Sequence, residues 1–186
     1  TRGAGWREGR RTGSGRRRQS PGPVAAKRVE YTAVYRYWPL AGRHEVGGEP
    51  AGIGRHDHAF HARNRYRARQ YPDALITTAT HDHKRGADTR LRMIALAEDP
   101  DRWEAVARAL EEIGAAYRGP HGPAPTEAYL FYQTLSALWC DAHGAPLRGA
   151  ERDDLADRLT AYMEKAAREA KMQTSWINPN TDYEAD

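Results

Sequence analysis

The sequence predicts a mainly helical chain with a few short strands: strands in the first half, a helical assembly in the second. Two observations lead there. Beyond Asp99 the apolar residues recur every three or four positions in three successive runs, the spacing that lines one face of a helix. Before that, a short apolar run (Ala74, Leu75, Ile76) follows Pro72 and breaks abruptly into Thr77-Thr78-Ala79-Thr80-His81-Asp82-His83-Lys84-Arg85. A strand that ends in such a burst of donors, acceptors and charges is the arrangement by which parallel α/β architectures build sites at strand carboxyl ends.

The 186 residues are enough for one ordinary domain or a piece of a larger protein, and the opening on Thr1 rather than Met leads us to expect the latter. Hydrophobic content is 39% and mean hydropathy −0.88, low for a self-sufficient core. Only 2 Phe are present against 5 Trp and 10 Tyr, amphipathic rings that suit a polar, sugar-like ligand as well as a dry interior. Residues 1–28 hold 9 Lys and Arg and one acid, Glu8; the remainder holds 20 basic against 24 acidic residues. The body is therefore mildly acidic, which argues against a phosphate-binding face and against nucleic acid as its partner. The single Cys140 excludes an internal disulfide and fits a reducing, cytoplasmic setting. No apolar stretch approaches 18 residues and no hydrophobic leader is visible, so neither a membrane span nor a secretory signal is expected.

In chain order, residues 1–22 are Gly-, Arg- and Ser-rich, nearly without aliphatics, and are predicted to be a disordered basic tail. Val24-Ala25-Ala26 reads as a short strand with Lys27 at its end. Residues 29–40 are aromatic-rich and broken by Pro39. The pair Gly47-Gly48 marks a loop, with no dinucleotide or P-loop pattern beside it. His56 to Gln70 reads as a helix stopped before Pro72; it sets Asp57 and His61 on one face without a third in-register ligand, so no metal is assigned there. Ala87–Ala97 reads as the next helix. Asp99-Pro100-Asp101 is a helix start: a capping acid, Pro in the first turn and a second acid near the positive end of the dipole. The helix that follows aligns Trp103, Val106, Ala107, Leu110 and Ile113. The next, past the Gly119–Pro125 loop, uses Phe131, Leu135, Leu138 and Trp139. The last, from about Glu151 to Thr174, uses Leu155, Leu159, Tyr162, Ala166 and Ala170. These faces are read as core.

The residues of segment 77–85 leave several roles open. Asp82 could stabilise developing positive charge with His81 donating to the same ligand, while Lys84 and Arg85 hold a polar substrate or lower the Asp82 pKa. His81, Asp82 and His83 could instead ligate a metal with the histidines of helix 56–70. A solvated turn is the bland alternative. A third class of reading is a non-catalytic helical module whose basic arm binds nucleic acid.

Four blocks carry a family resemblance from Pro23 to Glu184: Pro23–Lys27 with Val29-Glu30 and Tyr35-Arg36-Tyr37; Glu45-Val46-Gly47-Gly48 with Pro50; Thr78–Arg85 with Asp88, Arg90 and Arg92; and Tyr132-Gln133-Thr134-Leu135, Lys165–Lys171 and Thr174-Ser175-Trp176 with Pro179, Tyr183 and Glu184. Together they resemble the maltooligosyl trehalose synthase family of the α-amylase clan of glycoside hydrolases. The resemblance implies a partial (β/α)8 barrel, its late strands within 23–98, followed by a helical subdomain over 99–186. It also implies an intramolecular glucosyl transfer that converts the reducing-end α-1,4 bond of a maltooligosaccharide to α,α-1,1, with no cofactor. By resemblance Asp82 is the carboxylate that favours the oxocarbenium-like transition state, His81 its hydroxyl-binding neighbour, and Lys84, Lys27 and Arg85 bind substrate. Retaining chemistry needs two further carboxylates roughly 5–5.5 Å apart. The clan carries them upstream of the Lys27 segment, where this chain offers only Glu8, in Gly/Arg-rich sequence that does not match. The family has Gly, Asp and Asn where this chain has Arg28, Tyr31 and His44. The chain is therefore expected to be a C-terminal-side fragment, inactive by itself.

Overall fold

The computed structural model describes residues 31–44, 54, 56–80, 83–140 and 144–186. Seven α-helices are present among them: α1 (Tyr31–Val34), α2 (Asp57–Gln70), α3 (Ala87–Ala95), α4 (Pro100–Ala115), α5 (Pro125–Leu138), α6 (Gly149–Ala170) and α7 (Thr181–Ala185), with a 3₁₀ turn at Ala41–Arg43.

The starts and stops follow the local chemistry. The Asp99 side chain accepts from the Arg102 backbone N–H at 3.1 Å with Pro100 in the first turn, so α4 begins where the Asp-Pro-Asp signal places it. α2 stops at Gln70, two residues before Pro72. α6 ends on Lys171 in the left-handed region at φ 54°.

Among the described residues the late strands of a (β/α)8 barrel are not there. Among the described residues the only β pairing is an isolated antiparallel bridge between Cys140 and Pro146. Residues 71–80 run as turns and irregular backbone, with Leu75 and Ile76 fully and largely exposed. The physical reason is pairing: a strand is stable only when neighbours take up its N–H and C=O groups, and no described strand flanks this one. The fold is helical, and the β-branched run is a connection. The strand predicted at Val24–Ala26 lies outside the described residues, as does the tail 1–22.

The core gathers Tyr35, Ala41, Met93, Leu130, Ala137, Ala166 and Ala170, with Trp38, Tyr162 and Met163 packed against it. It sits where α3 meets the 3₁₀ turn and where α5 and α6 pack on each other, on α3 and on α1. Gly42 permits the closest of these approaches: a Cβ there would lie 2.8 Å from Met93 Cβ and 2.9 Å from the Arg90 carbonyl. Gln133, wholly buried on α5, ties the 3₁₀ turn down; its Oε1 accepts from Ala41 N–H and its Nε2 donates to the Trp38 carbonyl, both at 2.8 Å. Arg36 Nε donates to the Ala170 carbonyl at 2.7 Å, supplying a partner for the end of α6.

A clasp closes the far end. The Tyr183 hydroxyl donates to buried Glu127 and accepts from Ala124 N–H, and burial together with the Glu127 carboxylate pushes its phenol up to about 12. Arg168 grips Glu184 with Nε and Nη2 at 2.8 and 2.7 Å, and its guanidinium lies 4.8 Å from the centre of the Trp176 ring.

The predicted core faces are only partly covered. α6 buries most of its face, Leu155, Leu159, Ala166 and Ala170; α5 instead buries Ala128, Leu130, Tyr132, Gln133, Thr134 and Ala137, leaving the predicted Phe131, Leu135 and Leu138 half-buried and Trp139 exposed. α4 buries none of its residues: Val106 and Ile113 stay exposed, although Trp103 Nε1 reaches the Tyr129 hydroxyl at 2.8 Å. Between α4, α5 and α6 this leaves an open apolar groove of about 720 Å³ lined by Leu110, Ile113, Phe131, Leu135, Leu159 and Met163. α2 also buries no residue.

Candidate active-site segment

Residues 77–80 and 83–85 are held from several sides. At the start, Thr77 Oγ1 donates to the Ala79 carbonyl at 2.7 Å, and Arg90 of α3 donates through Nη2 to the Thr78 carbonyl at 2.6 Å. Further on, His83 N–H donates to the Thr80 carbonyl at 3.1 Å, while Thr80 N–H donates to His83 Nδ1 at 2.8 Å. A backbone N–H can only donate, so Nδ1 is an acceptor and the neutral ring carries its hydrogen on Nε2.

At the other end Arg85 turns inward. The residue is 9% exposed; Nη2 donates to Tyr162 Oη of α6 at 2.5 Å and to Thr134 Oγ1 of α5 at 3.2 Å. The guanidinium carbon lies 5.0 Å from the centre of the Tyr162 ring. Nε and Nη1 have no hydrogen-bond partner among the described residues. Nearby, His44 is 5% exposed with Nε2 likewise unpartnered. Burial first, and then the Arg85 charge, bring its imidazole down to about 4, against the pull of a hydrogen bond to the Tyr37 backbone. The result is a largely buried polar cluster, Arg85, His44, Thr134 and Tyr162, with a single fixed positive charge.

Of the residues picked out in the sequence, Lys84 and Arg85 are described; His81, Asp82 and Lys27 lie outside the described residues. Lys84 is half-buried, next to the inward-turned Arg85. His56, Asp57, His58 and His61 lie at or on the exposed start of α2. Among the described residues no three His, Cys, Asp or Glu side chains converge as a metal site would require. Sequence reasoning took Tyr162 for plain core and gave Thr134 no role. The available signal was Gln133-Thr134 inside an otherwise apolar helix, since buried polar side chains are there to satisfy a partner.

No protein-family profile matches the chain. Against curated proteins it is 37% identical over 171 residues to the putative maltooligosyl trehalose synthase of Mycobacterium tuberculosis, strains CDC 1551 and H37Rv, covering 92% of this chain and 21% of that protein. Among solved structures it is similar to maltooligosyltrehalose synthase from Arthrobacter ramosus, at 36% identity and TM-score 0.71, over 90% of this chain and 20% of the other. It is similar also to a hypothetical maltooligosyl trehalose synthase of Sulfolobus tokodaii, at 31% identity and TM-score 0.73, over 90% and 22%.

These relatives are all synthases, and what the chain matches is a segment of a much longer enzyme. The resemblance read from residues 23–184 is borne out: the chain is similar to maltooligosyl trehalose synthases, and it spans about a fifth of the length of the curated relatives it matches.

Proposed function

We propose that this chain is the part of a maltooligosyl trehalose synthase that supplies the transition-state carboxylate and holds the reducing-end glucose, in an intramolecular transfer from an α-1,4 to an α,α-1,1 bond. The observation that carries the reading is the 37% identity sustained over 171 residues, a stretch too long to leave out segment 77–85. Asp82 stabilises the positive charge that develops on the sugar ring, and His81 donates to the same ring's hydroxyls. Lys84 and Lys27 hold the glucose released at the reducing end, so that it reorients and is recaptured before it escapes. The nucleophile and the acid/base come from the remainder of such an enzyme; this chain alone does not turn over. A reducing, cytoplasmic setting fits the free Cys140, and no helix among the described residues is long and apolar enough to cross a membrane.

The test grafts residues 23–186 into the Arthrobacter ramosus synthase in place of its matching segment. Incubated with maltopentaose, the hybrid is expected to consume reducing ends without releasing equivalent glucose. Asp82→Asn in the hybrid should lower that rate by roughly 10²–10³-fold, the scale lost when a preorganised electrostatic group is removed. A folded hybrid in which Asp82→Asn keeps full activity would sink the assignment.

A further inference from the structure

We propose that Arg85 is a positioning residue and that Thr134 and Tyr162 are its seat, so that α5 and α6 set where residues 83–85 lie. This inference rests on reading that segment as part of a synthase active site, and it moves Arg85 from the substrate to the scaffold.

The geometry separates the two roles. A substrate-binding arginine presents its fork to the ligand. Here Nη2, the nitrogen common to both forks, is committed to two hydroxyls on two helices, and the Tyr162 ring lies within cation–π range. An arginine that is only 9% exposed also resists rearrangement, because a desolvated charge that loses its partners is left uncompensated. Burial pushes the Tyr162 phenol up, so at neutral pH its oxygen is a neutral acceptor.

The other ties on the segment differ in kind. Arg90 reaches it from α3 and His83 closes it on itself, whereas the Arg85 tie links it to α5 and α6. Thr134 is itself fixed, its Oγ1 donating to the Leu130 carbonyl at 2.8 Å while accepting from Arg85. The seat is therefore rigid, and a shift of α6 at Tyr162 is transmitted to Arg85 and onward to Lys84 and His83.

The experiment uses two isosteric changes that keep the core filled: Tyr162→Phe retains the ring and loses the oxygen, and Thr134→Val retains the shape and loses the hydroxyl. In the 186-residue chain, amide exchange at Thr80 and His83 is expected to speed up roughly tenfold in the double variant, while Leu130 and Gln133 of α5 stay protected. In the hybrid synthase the double variant should lose kcat by roughly tenfold with KM within about twofold, the signature of a misplaced rather than unoccupied site. Replacing Thr134→Val by Thr134→Ser in that pair, which restores one of the two hydroxyls, should recover part of both effects. Unchanged exchange at Thr80 and His83 would overturn the anchor. Faster exchange with an unaltered kcat, in a hybrid that Asp82→Asn still inactivates, would overturn the positioning role alone. A hybrid indifferent to Asp82→Asn would instead remove the functional reading, leaving exchange to decide the anchor.

Discussion

His44 and Glu184 are two side chains whose protonation is tied to folding in different pH windows. The imidazole, at about 4 when folded against 6.5 when free, binds its proton only in the unfolded chain over that interval. Stability is therefore intact above 6.5 and drains as pH falls toward 4. Glu184 is held down to about 2 by the Arg168 fork first and the Thr174 hydroxyl second, against an ordinary 4.5. Its contribution is intact above 4.5 and is lost as pH falls toward 2. Urea midpoints measured from pH 7.5 to 3 should thus decline in two stages. His44→Asn, which keeps a polar atom near the Tyr37 backbone but does not titrate, should flatten the upper stage only; Glu184→Gln should flatten the lower one. A single decline unaffected by His44→Asn would contradict the buried neutral ring.

At the scale of elements, α5 holds the molecule together through polar contacts as much as through apolar ones. Gln133→Leu keeps the volume but leaves the Ala41 N–H and the Trp38 carbonyl without a partner inside the core. Two abandoned buried groups should cost roughly 2–4 kcal/mol in equilibrium unfolding; a loss under about 0.5 kcal/mol would mean the 3₁₀ turn is not docked as described. Elements were legible in the sequence where their cause is local. The Asp-Pro-Asp start of α4, the stop of α2 before Pro72 and the stripe of α6 all appear where side-chain chemistry within one or two turns puts them, whereas α5 turns a different face inward from the one its apolar spacing marks. The run at Ala74–Ile76 was misread because strand formation depends on a neighbour, and a composition of β-branched and apolar residues does not report whether one exists. The α4 stripe was legible as a stripe; what covers it was not, since periodicity names a face and not its partner. The same limit hid Thr134 and Tyr162: that Arg85 ends in a chemically loaded segment is visible in the sequence, but that it turns inward onto α5 and α6 is a matter of packing.

The described residues combine a small, packed centre with large uncovered margins. Leu75, Ile76, Ile113, Tyr117 and Ile177 are each more than 60% exposed, and α2 buries none of its 14 residues. Such a chain should not melt as one unit. Native-state hydrogen exchange is expected to show α5 and the inner face of α6 as the slowest amides, with α2 exchanging close to the free-peptide rate. The far-UV thermal transition should be broad. Uniform protection across α2 and α5, with a sharp transition, would show that the exposed faces are covered in solution.

The 22-residue length of α6 has a practical consequence for anyone moving this segment between enzymes. One face of that helix carries Leu159 and Met163 into the apolar groove, and the neighbouring residue, Tyr162, receives Arg85. A recombination boundary drawn at the loop before Gly149 looks harmless on the sequence, because it falls between helices. It would deliver Arg85 with Thr134 but separate it from Tyr162, installing the chemistry-bearing residues on half a mount. The smallest portable cassette therefore runs through Ala170, and a library of chimaeras should show its drop in function at crossovers inside 139–162 rather than at the edges of the His-Asp-x-Lys-Arg stretch.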